Sequence, residues 1–315
     1  MALDYLHNHR QWADLIGIVA EDRSIDPYLV EKDYWIMHVL HGLKKQGFSF
    51  ELKGGTSLSK GFGIIQRFSE DIDIHISPPA ELGVNPTGQK DNAIAGRKNF
   101  YDWLNGNIAI EGILKNVRDT DFDNIRTYSS GGIRLHYKSF TSPLAGLKEG
   151  ILLEAGFDTV APNQQVDISS WAYDRAVNSK IEIIDNRATG VSCYNPGYTF
   201  VEKLQTIATK FRQETVNGKQ GVNFMRQYYD VSSLLHNQQV MDFIGTDEYN
   251  AHKQKRFPAL DKVVPLKENP AFLLEDANIR ASFIQRYKAT EGLYYNGQPP
   301  FEDLLKKIGE HLAML

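Results

Sequence analysis

The chain has 315 residues, of which 42% are hydrophobic and 23% are charged, and its formal net charge is −4. This length allows one large or two ordinary domains, and the composition is typical of a globular protein. The mildly acidic charge gives no general electrostatic basis for binding nucleic acid, although a local basic patch is compatible with it. The single cysteine, Cys193, excludes an intramolecular disulfide and a zinc site built from several cysteines.

The N-terminal sequence MALDYLHNHRQWADLIGIVA carries Asp4 and Asp14 and lacks a basic start followed by an apolar core, so we expect no signal peptide. No run of about 18 apolar residues occurs, so we expect no membrane span and no membrane partner. Together with the single cysteine, these features favour a cytoplasmic protein.

Helical and strand-like periodicities alternate in the first two thirds of the chain. The glycines at Gly54-Gly55 indicate a turn after the first strand, and Thr56 suits the start of a helix. We expect the strands over 133–140 and 150–157 to be neighbours in a sheet. The predicted elements are helices over 26–47, 56–65 and 91–106, and strands over 48–53, 71–76, 133–140, 150–157 and 179–185.

The pattern changes at the loop signal Tyr194-Asn195-Pro196-Gly197 and is mostly helical afterwards. Helices are predicted over 198–213, 222–237, 276–291 and 302–315. The sequence therefore predicts an α+β fold with two domains, an α+β domain over 1–195 and a helical domain over 196–315.

The segment DIDIHI places two carboxylates on one face of a strand. Because residues two apart share a strand face, Asp71 and Asp73 point to one side and the isoleucines to the other. Carboxylates this close repel each other unless a cation lies between them. Oxygen ligands suit Mg²⁺, so the pair predicts a site for Mg²⁺, with Mn²⁺ as an alternative.

The glycine turn before this strand is suited to binding phosphate. Gly54 and Gly55 allow the backbone to approach a ligand closely. Thr56 and Ser57 offer hydroxyl groups at the start of a helix, whose free N–H groups favour anions. A glycine turn alone, or two aspartates alone, is commonly structural, but the two in this order are what phosphoryl or nucleotidyl transfer with metal ions needs.

The sequence KGGTSLSK…RFSEDIDI resembles the signature of the AbiEii/AbiGii family of nucleotidyltransferase-like toxins, in the DNA-polymerase-β-like superfamily. The superfamily motif is G-[GS]-[ST], a spacer, then [DE]-x-[DE], and here 14 residues separate Thr56 from Asp71. Three further segments resemble motifs of the family and occur in the same order as in the family. They are VEKDYWI, YTFVEKLQTIATKFR and RQYYDVSSLL, so the resemblance spans roughly residues 30–235.

The resemblance implies a bilobed α+β fold, with a polymerase-β-like mixed sheet and flanking helices in the first domain. The second, helical domain would contribute to the cleft. The superfamily uses a third metal-binding carboxylate on a neighbouring strand, for which Glu154 is the candidate. The alternative is that Glu154 pairs with Arg134 or Lys138 on the adjacent strand.

Two residues of the helical half are implied as catalytic. Lys203 in the E-K-L motif would also contact the nucleotide phosphates, with a solvated helix lysine as the alternative. Asp230 would be catalytic, with an ion pair to Arg226 one turn earlier as the alternative.

Further residues around the first motif are candidates for binding the nucleotide, although lysine and arginine side chains are usually solvated. The nucleotide-binding set is Gly54, Gly55, Thr56, Ser57, Lys60, Arg67, Ser69 and Lys203, and the metal-binding set is Asp71, Asp73 and Glu154.

The function that the resemblance implies is transfer of a nucleoside monophosphate from a nucleoside triphosphate to an acceptor, by a two-metal mechanism. The acceptor would be RNA such as tRNA, and the protein would be the toxin of a bacterial toxin–antitoxin or abortive-infection system against phage, with an antitoxin encoded nearby. The cluster HKQKRF over 252–257 would contact RNA or be an exposed loop. The alternatives are modification of a protein or small molecule, and a non-catalytic nucleotide-binding relative.

Overall fold

The computed structural model describes residues 3–144, 146–221 and 223–315. The chain forms two compact units. The first consists of the residues up to Phe62 and of Phe68–Tyr194, and the second of Gly63–Arg67 and Asn195–Leu315. None of the helices in these ranges is long and apolar enough to cross a membrane. The two-domain division at residue 195 stays a prediction, and it did not anticipate that Gly63–Arg67 groups with the second unit.

The first unit is built on a seven-stranded mixed sheet with the order β3-β4-β5-β2-β1-β7-β6. The pairs β1/β7 and β2/β5 are parallel and the other neighbours are antiparallel. The strands are β1 Ser49–Lys53, β2 Asp71–Ser77, β3 Ile113–Asp119, β4 Ser130–Tyr137, β5 Ile151–Gly156, β6 Asn163–Ile168 and β7 Ala188–Tyr194.

Helices accompany this sheet, and local sequence explains where the longest begins. Asp26 accepts a hydrogen bond from the backbone N–H of Tyr28, and Pro27 occupies the first helical position, where its missing N–H costs nothing. The helices are α1 Trp12–Arg23, α2 Pro27–Lys45, α3 Gly54–Thr56, α4 Asp91–Asn107 and α5 Trp171–Asn178, with a π-helical turn Ser57–Gly61 and 3-10 turns Leu6–Asn8, Ala80–Leu82 and Thr120–Phe122.

The second unit is helical and packs around aromatic side chains. The Tyr228 and Phe301 rings lie 5.2 Å apart, and those of Phe224 and Phe283 lie 5.7 Å apart. Its helices are α6 Pro196–Asn217, α7 Arg226–Leu234, α8 Gln238–Phe243, α9 Asp247–Arg256, α10 Pro270–Leu273, α11 Ala277–Lys288 and α12 Phe301–Gly309, with 3-10 turns Ala259–Asp261, Leu266–Glu268 and Glu291–Leu293.

The predicted α+β class is confirmed, with a mixed sheet, flanking helices and a helical C-terminal region. The strands expected over 133–140 and 150–157 are antiparallel neighbours, as predicted. The edge strands β3 and β6 were not predicted, and neither were strand β7 and the helices α1, α5, α8, α9 and α10.

The strand predicted over 179–185 is wrong, because Ser179 and Lys180 close helix α5 and residues 181–185 form no regular element. Lys180 adopts a left-handed conformation with φ of 58°, and the backbone N–H of Ile181 donates to the carbonyl of Ala176 at 3.0 Å. This is the usual way for a helix to satisfy its last carbonyls. The strand of this region is β7, which begins at Ala188.

Two predicted helices are shorter in the structure. The helix expected over 56–65 ends at Gly61, and Gly63 with φ of 63° turns the chain away. The helix expected over 222–237 begins at Arg226 and ends at Leu234, and its predicted first residue, Val222, lies outside the described residues.

Candidate active site

Strand β2 divides its side chains between the interior and an accessible face. Ile72, Ile74 and Ile76 are buried, whereas Asp71 and Asp73 are each half-buried on the opposite face. The period-two pattern predicts this division. The isoleucines anchor the strand, so the position of the two carboxylates is determined by the packing behind them.

A row of charged residues crosses three strands at the level of Asp73. Lys53 on β1 is the direct partner of Asp73 across the antiparallel pair, and Glu154 on β5 is its partner across the parallel pair. Directly paired residues of neighbouring strands project from the same face, with backbones about 4.8 Å apart. The candidate third carboxylate is therefore beside Asp73 in the sheet.

The proposed alternative partner of Glu154 makes other bonds. Arg134 Nε and Nη2 donate to Oδ2 of Asp119 at 2.9 and 2.7 Å, and Arg134 Nη1 donates to the carbonyl of Glu149 at 3.2 Å. Arg134 therefore bonds both to Asp119, at the end of β3, and to Glu149, just before β5, and the metal-binding role of Glu154 stays a prediction.

The glycine turn lies directly against strand β2. Gly54 has φ of 70°, and a Cβ placed on it would be 2.2 Å from Oδ2 of Asp73. Only glycine allows this approach. The Thr56 hydroxyl donates to the backbone carbonyl of Asp71. The turn therefore contacts strand β2 at both Asp71 and Asp73.

Two serines of the nucleotide-binding set differ in their surroundings. Ser57 is fully buried, and its Oγ has no hydrogen-bond partner among the described residues. A buried hydroxyl without a partner costs free energy, and a ligand oxygen would relieve that cost. Ser69 is half-buried in the irregular stretch that precedes β2.

The donor chemistry of this face fits Mg²⁺. Among the described residues, no three His, Cys, Asp or Glu side chains converge as a ready metal-ligand group. Mg²⁺ bound together with substrate phosphates needs only one or two carboxylates and takes water or phosphate oxygens as its other ligands. Asp71 and Asp73 meet that requirement, with Glu154 as the neighbouring donor.

Two side chains near the motif are bonded to groups that the sequence did not suggest. Lys60 Nζ donates to Oδ1 of Asp33 at 2.6 Å. His75, on the aspartates' face, lies with its Nδ1 2.5 Å from Oε2 of Glu51, its partner on β1. The role of Lys60 at the nucleotide stays a prediction.

A second charged cluster lies within the helical unit. Arg67 donates through Nε and Nη2 to the two carboxylate oxygens of Asp230, at 2.7 Å each, and Lys203 Nζ lies 2.6 Å from Oδ2 of Asp230. Lys203 also donates to Oε1 of Gln227 at 3.1 Å. Asp230 is fully buried, and Arg67 and Lys203 are nearly so.

The charge state of this cluster follows from its composition. Burial alone would raise the pKa of Asp230, but the charges of Arg67 and Lys203 outweigh it and lower the pKa to about 2. Burial opposes the charge of Arg67, but Asp230 raises its pKa further. The sequence suggested Arg226 as the partner of Asp230. No local signal indicated Arg67, which is 163 residues away along the chain.

The basic cluster over 252–257 is helical rather than a loop, because it forms the end of α9. Two of its members face an acid of the same unit. His252 Nε2 and Arg256 Nε lie 3.7 and 3.4 Å from Oε1 of Glu202. The cluster is therefore less available to an RNA backbone than its composition suggests.

Comparison with known proteins identifies a family to which the chain is similar. A family model described as "Nucleotidyl transferase AbiEii toxin, Type IV TA system" matches residues 42–307. No curated protein matches the chain in sequence. Among solved structures, the chain is similar to an antigenic nucleotidyltransferase-like protein from Paracoccidioides brasiliensis. The TM-score is 0.38 and the identity 11%, over 81% of this chain and 93% of that one. A TM-score this low establishes no shared fold.

Proposed function

Because the chain belongs to the AbiEii family of nucleotidyl transferase toxins of type IV toxin–antitoxin systems, we propose that it transfers a nucleoside monophosphate from a nucleoside triphosphate to RNA such as tRNA. The reaction depends on Mg²⁺ and takes place in the cytoplasm. The protein is the toxin of an abortive-infection system against phage, and an antitoxin encoded nearby relieves its toxicity.

The observation that carries this proposal is the contact between the glycine turn and the aspartate strand. The Gly54 backbone lies so close to the Asp73 carboxylate that a Cβ would be 2.2 Å from it. The backbone N–H groups after the turn suit a phosphate, and the carboxylates beside it suit a metal ion. Such adjacency of the two kinds of group is what nucleotidyl transfer requires.

In the proposed reaction, an acceptor hydroxyl oxygen forms a bond to the α-phosphorus of the nucleotide. The bond between the α-phosphorus and the bridging oxygen breaks, pyrophosphate leaves, and the hydroxyl proton passes to solvent or a carboxylate. Asp71 and Asp73, with Glu154 beside them, would hold Mg²⁺, which when bound neutralises phosphate charge. The two-metal form of the mechanism is part of the proposal.

We assign different roles to the two charged residues of the second unit. Lys203 neutralises the triphosphate, for which a compact ammonium is suited. Asp230 binds Lys203 at 2.6 Å and Arg67 at 2.7 Å, and so orients both cations. Gly54, Gly55, Thr56 and Ser57 form the phosphate-binding turn.

The test incubates the purified protein with each α-labelled nucleoside triphosphate, Mg²⁺ and total RNA. We expect label from one or more nucleotides in small RNAs, with release of pyrophosphate and loss of transfer in EDTA. The double variant Asp71→Asn/Asp73→Asn should transfer nothing, whereas Glu81→Gln, which changes an exposed acid, should match the wild type.

Label that enters only protein or small products would contradict the RNA acceptor and support one of the other acceptors. Absence of transfer to any acceptor, with nucleotide still bound, would identify a non-catalytic relative. Toxicity on expression that Asp71→Asn/Asp73→Asn abolishes, and that the neighbouring gene relieves, is expected for the toxin.

A further inference from the structure

Three consecutive ionisable side chains of helix α2 are buried. Glu31, Lys32 and Asp33 have exposed fractions of 0%, 1% and 0%. Successive helix residues point about 100° apart, so the three side chains reach different parts of the unit. A buried charge is costly unless it is paired and hydrogen-bonded, so their partners show what each of them holds in place.

Asp33 holds the helical turn that follows the glycines. Its Oδ1 accepts from Lys60 Nζ at 2.6 Å, and its Oδ2 accepts from the backbone N–H of Trp171 at 2.8 Å. Lys60 belongs to the π-helical turn Ser57–Gly61, and its ammonium lies 5.5 Å from the centre of the Trp171 ring. Asp33 therefore joins the phosphate-binding segment to two helices, α2 and α5.

Lys32 binds the segment that directly precedes strand β2. Its Nζ donates to Oε2 of Glu70, the residue directly before Asp71, at 3.4 Å, and to the carbonyl of Lys148 at 2.8 Å. The Tyr28 hydroxyl donates to the same carbonyl at 3.1 Å. Burial lowers the pKa of Lys32, while the nearby charges of Glu70 and Asp71 act in the opposite direction.

Glu31 holds a different part of the unit. Its carboxylate accepts from the backbone N–H of Phe140 at 3.0 Å, from the Thr141 hydroxyl at 2.5 Å and from the Ser139 hydroxyl at 2.8 Å. This segment follows β4 and carries none of the proposed site residues. Glu31 therefore provides a matched control on the same helix, equally buried and with the same charge as Asp33.

We infer that Lys32 and Asp33 are positioning residues of the nucleotidyl transfer site, by which helix α2 sets the phosphate-binding turn and the aspartate strand at a fixed separation. The inference rests on the proposed function. It assigns the Lys60 ammonium to Asp33 rather than to the nucleotide. Displacement of either segment would separate the phosphate from the metal-binding carboxylates, and small displacements in such sites have large effects on rate.

The experiment compares Asp33→Asn, Lys32→Met and Glu31→Gln by amide hydrogen exchange and by nucleotide titration. We expect Asp33→Asn to speed exchange over 54–61, Lys32→Met to speed it over 71–77, and Glu31→Gln to speed it only over 139–141. The KM for the nucleoside triphosphate should rise on the order of 10- to 100-fold in the first two variants, as for other residues that orient site ligands, and stay unchanged in the third.

A double variant tests whether Lys60 acts only through Asp33. Asp33→Asn/Lys60→Met removes both charges of the pair, which is better tolerated than leaving one of them buried alone. If Lys60 acts only through Asp33, the double variant should raise KM no more than Asp33→Asn does. A larger rise in the double variant would mean that Lys60 contacts the nucleotide itself.

Equal changes in KM for Asp33→Asn and Glu31→Gln would overturn the inference, because the effect would then be general destabilisation. Unchanged exchange over 54–61 and 71–77 would overturn it whether or not the protein is active. A wild-type protein that transfers no nucleotide would contradict the proposed function instead, while the exchange pattern would still decide whether α2 holds the two segments.

Discussion

The carboxylates of strand β2 and the carboxylate of helix α7 differ in accessibility and in what neutralises them. Asp71 and Asp73 are half-buried on a sheet face, where solvent and a cation can reach them. Asp230 is fully buried, and both of its oxygens are bonded to cations of the protein, Arg67 and Lys203. The resemblance implies a catalytic role for all three. Their surroundings favour metal binding by the first two and the orientation of cations by the third.

The largest effect is expected for a variant of strand β2, and it tests whether the carboxylates of this strand bind metal. Asp73→Asn should lower kcat by about 10³-fold or more, because losing a metal ligand forfeits several kcal/mol of transition-state stabilisation. The urea midpoint should change little, because the side chain is half-buried rather than enclosed. Steady-state transfer and urea unfolding measure the two effects. A large loss of stability with activity retained would reverse the comparison.

Asp230→Asn tests the role assigned to the carboxylate of helix α7. Removing one member of a buried charge cluster leaves the others uncompensated, so we expect a loss of about 3–5 kcal/mol in the free energy of unfolding. Urea unfolding followed by tryptophan fluorescence and circular dichroism measures it. Asp242→Asn, at an exposed acid of α8, is the control and should be nearly neutral. If the two variants are equally stable, the cluster is not structural.

Gly54→Ala separates close approach from backbone strain. An added Cβ at Gly54 costs about 1–2 kcal/mol in the left-handed conformation and also displaces the Asp73 carboxylate, 2.2 Å away. Gly83, with φ of 57° and nothing within 4 Å, has the strain alone. We expect similar losses of stability in both alanine variants, but a loss of transfer on the order of 10²-fold only in Gly54→Ala. Equal activities would show that the turn does not set the position of Asp73.

The smallest expected effect is a pH dependence of stability. The folded-state pKa of Asp230 is about 2, below its ordinary value of 3.8, so its contribution is complete above about pH 4 and is lost as the pH falls toward 2. Over that interval the wild type should lose up to about 1.4 kcal/mol per pH unit more than Asp230→Asn does. Urea unfolding at several pH values measures the difference, and parallel curves would contradict the assignment.

Periodicity was sufficient to predict the parts of the site that depend on one segment. The two faces of β2 follow from the alternation of polar and apolar residues. It failed at 179–185, where Lys180 in a left-handed conformation closes helix α5 and the isoleucines that follow lie in an irregular segment. Alternation over a few residues does not distinguish these cases, because the difference lies in the backbone angle of one residue.

Contacts between distant segments were beyond sequence reasoning. Nothing near Asp230 indicates that its bidentate partner is Arg67, and nothing near Lys60 indicates Asp33. Nothing in the sequence indicates that the consecutive charged residues Glu31, Lys32 and Asp33 are buried. Their burial depends on partners at Lys60, Glu70, 139–141, Lys148 and Trp171, which only the folded chain brings together.

The segment Gly63–Arg67 belongs with the second unit although it is encoded within the first. A single genetic crossover at residue 194 between two homologous genes would therefore join an Arg67 from one parent to an Asp230 from the other. Unless both parents carry a complementary pair, the hybrid would bury an acid without its guanidinium partner. Exchange of the helical unit between relatives whose pairs differ thus requires two further crossovers, one on each side of codons 63–67.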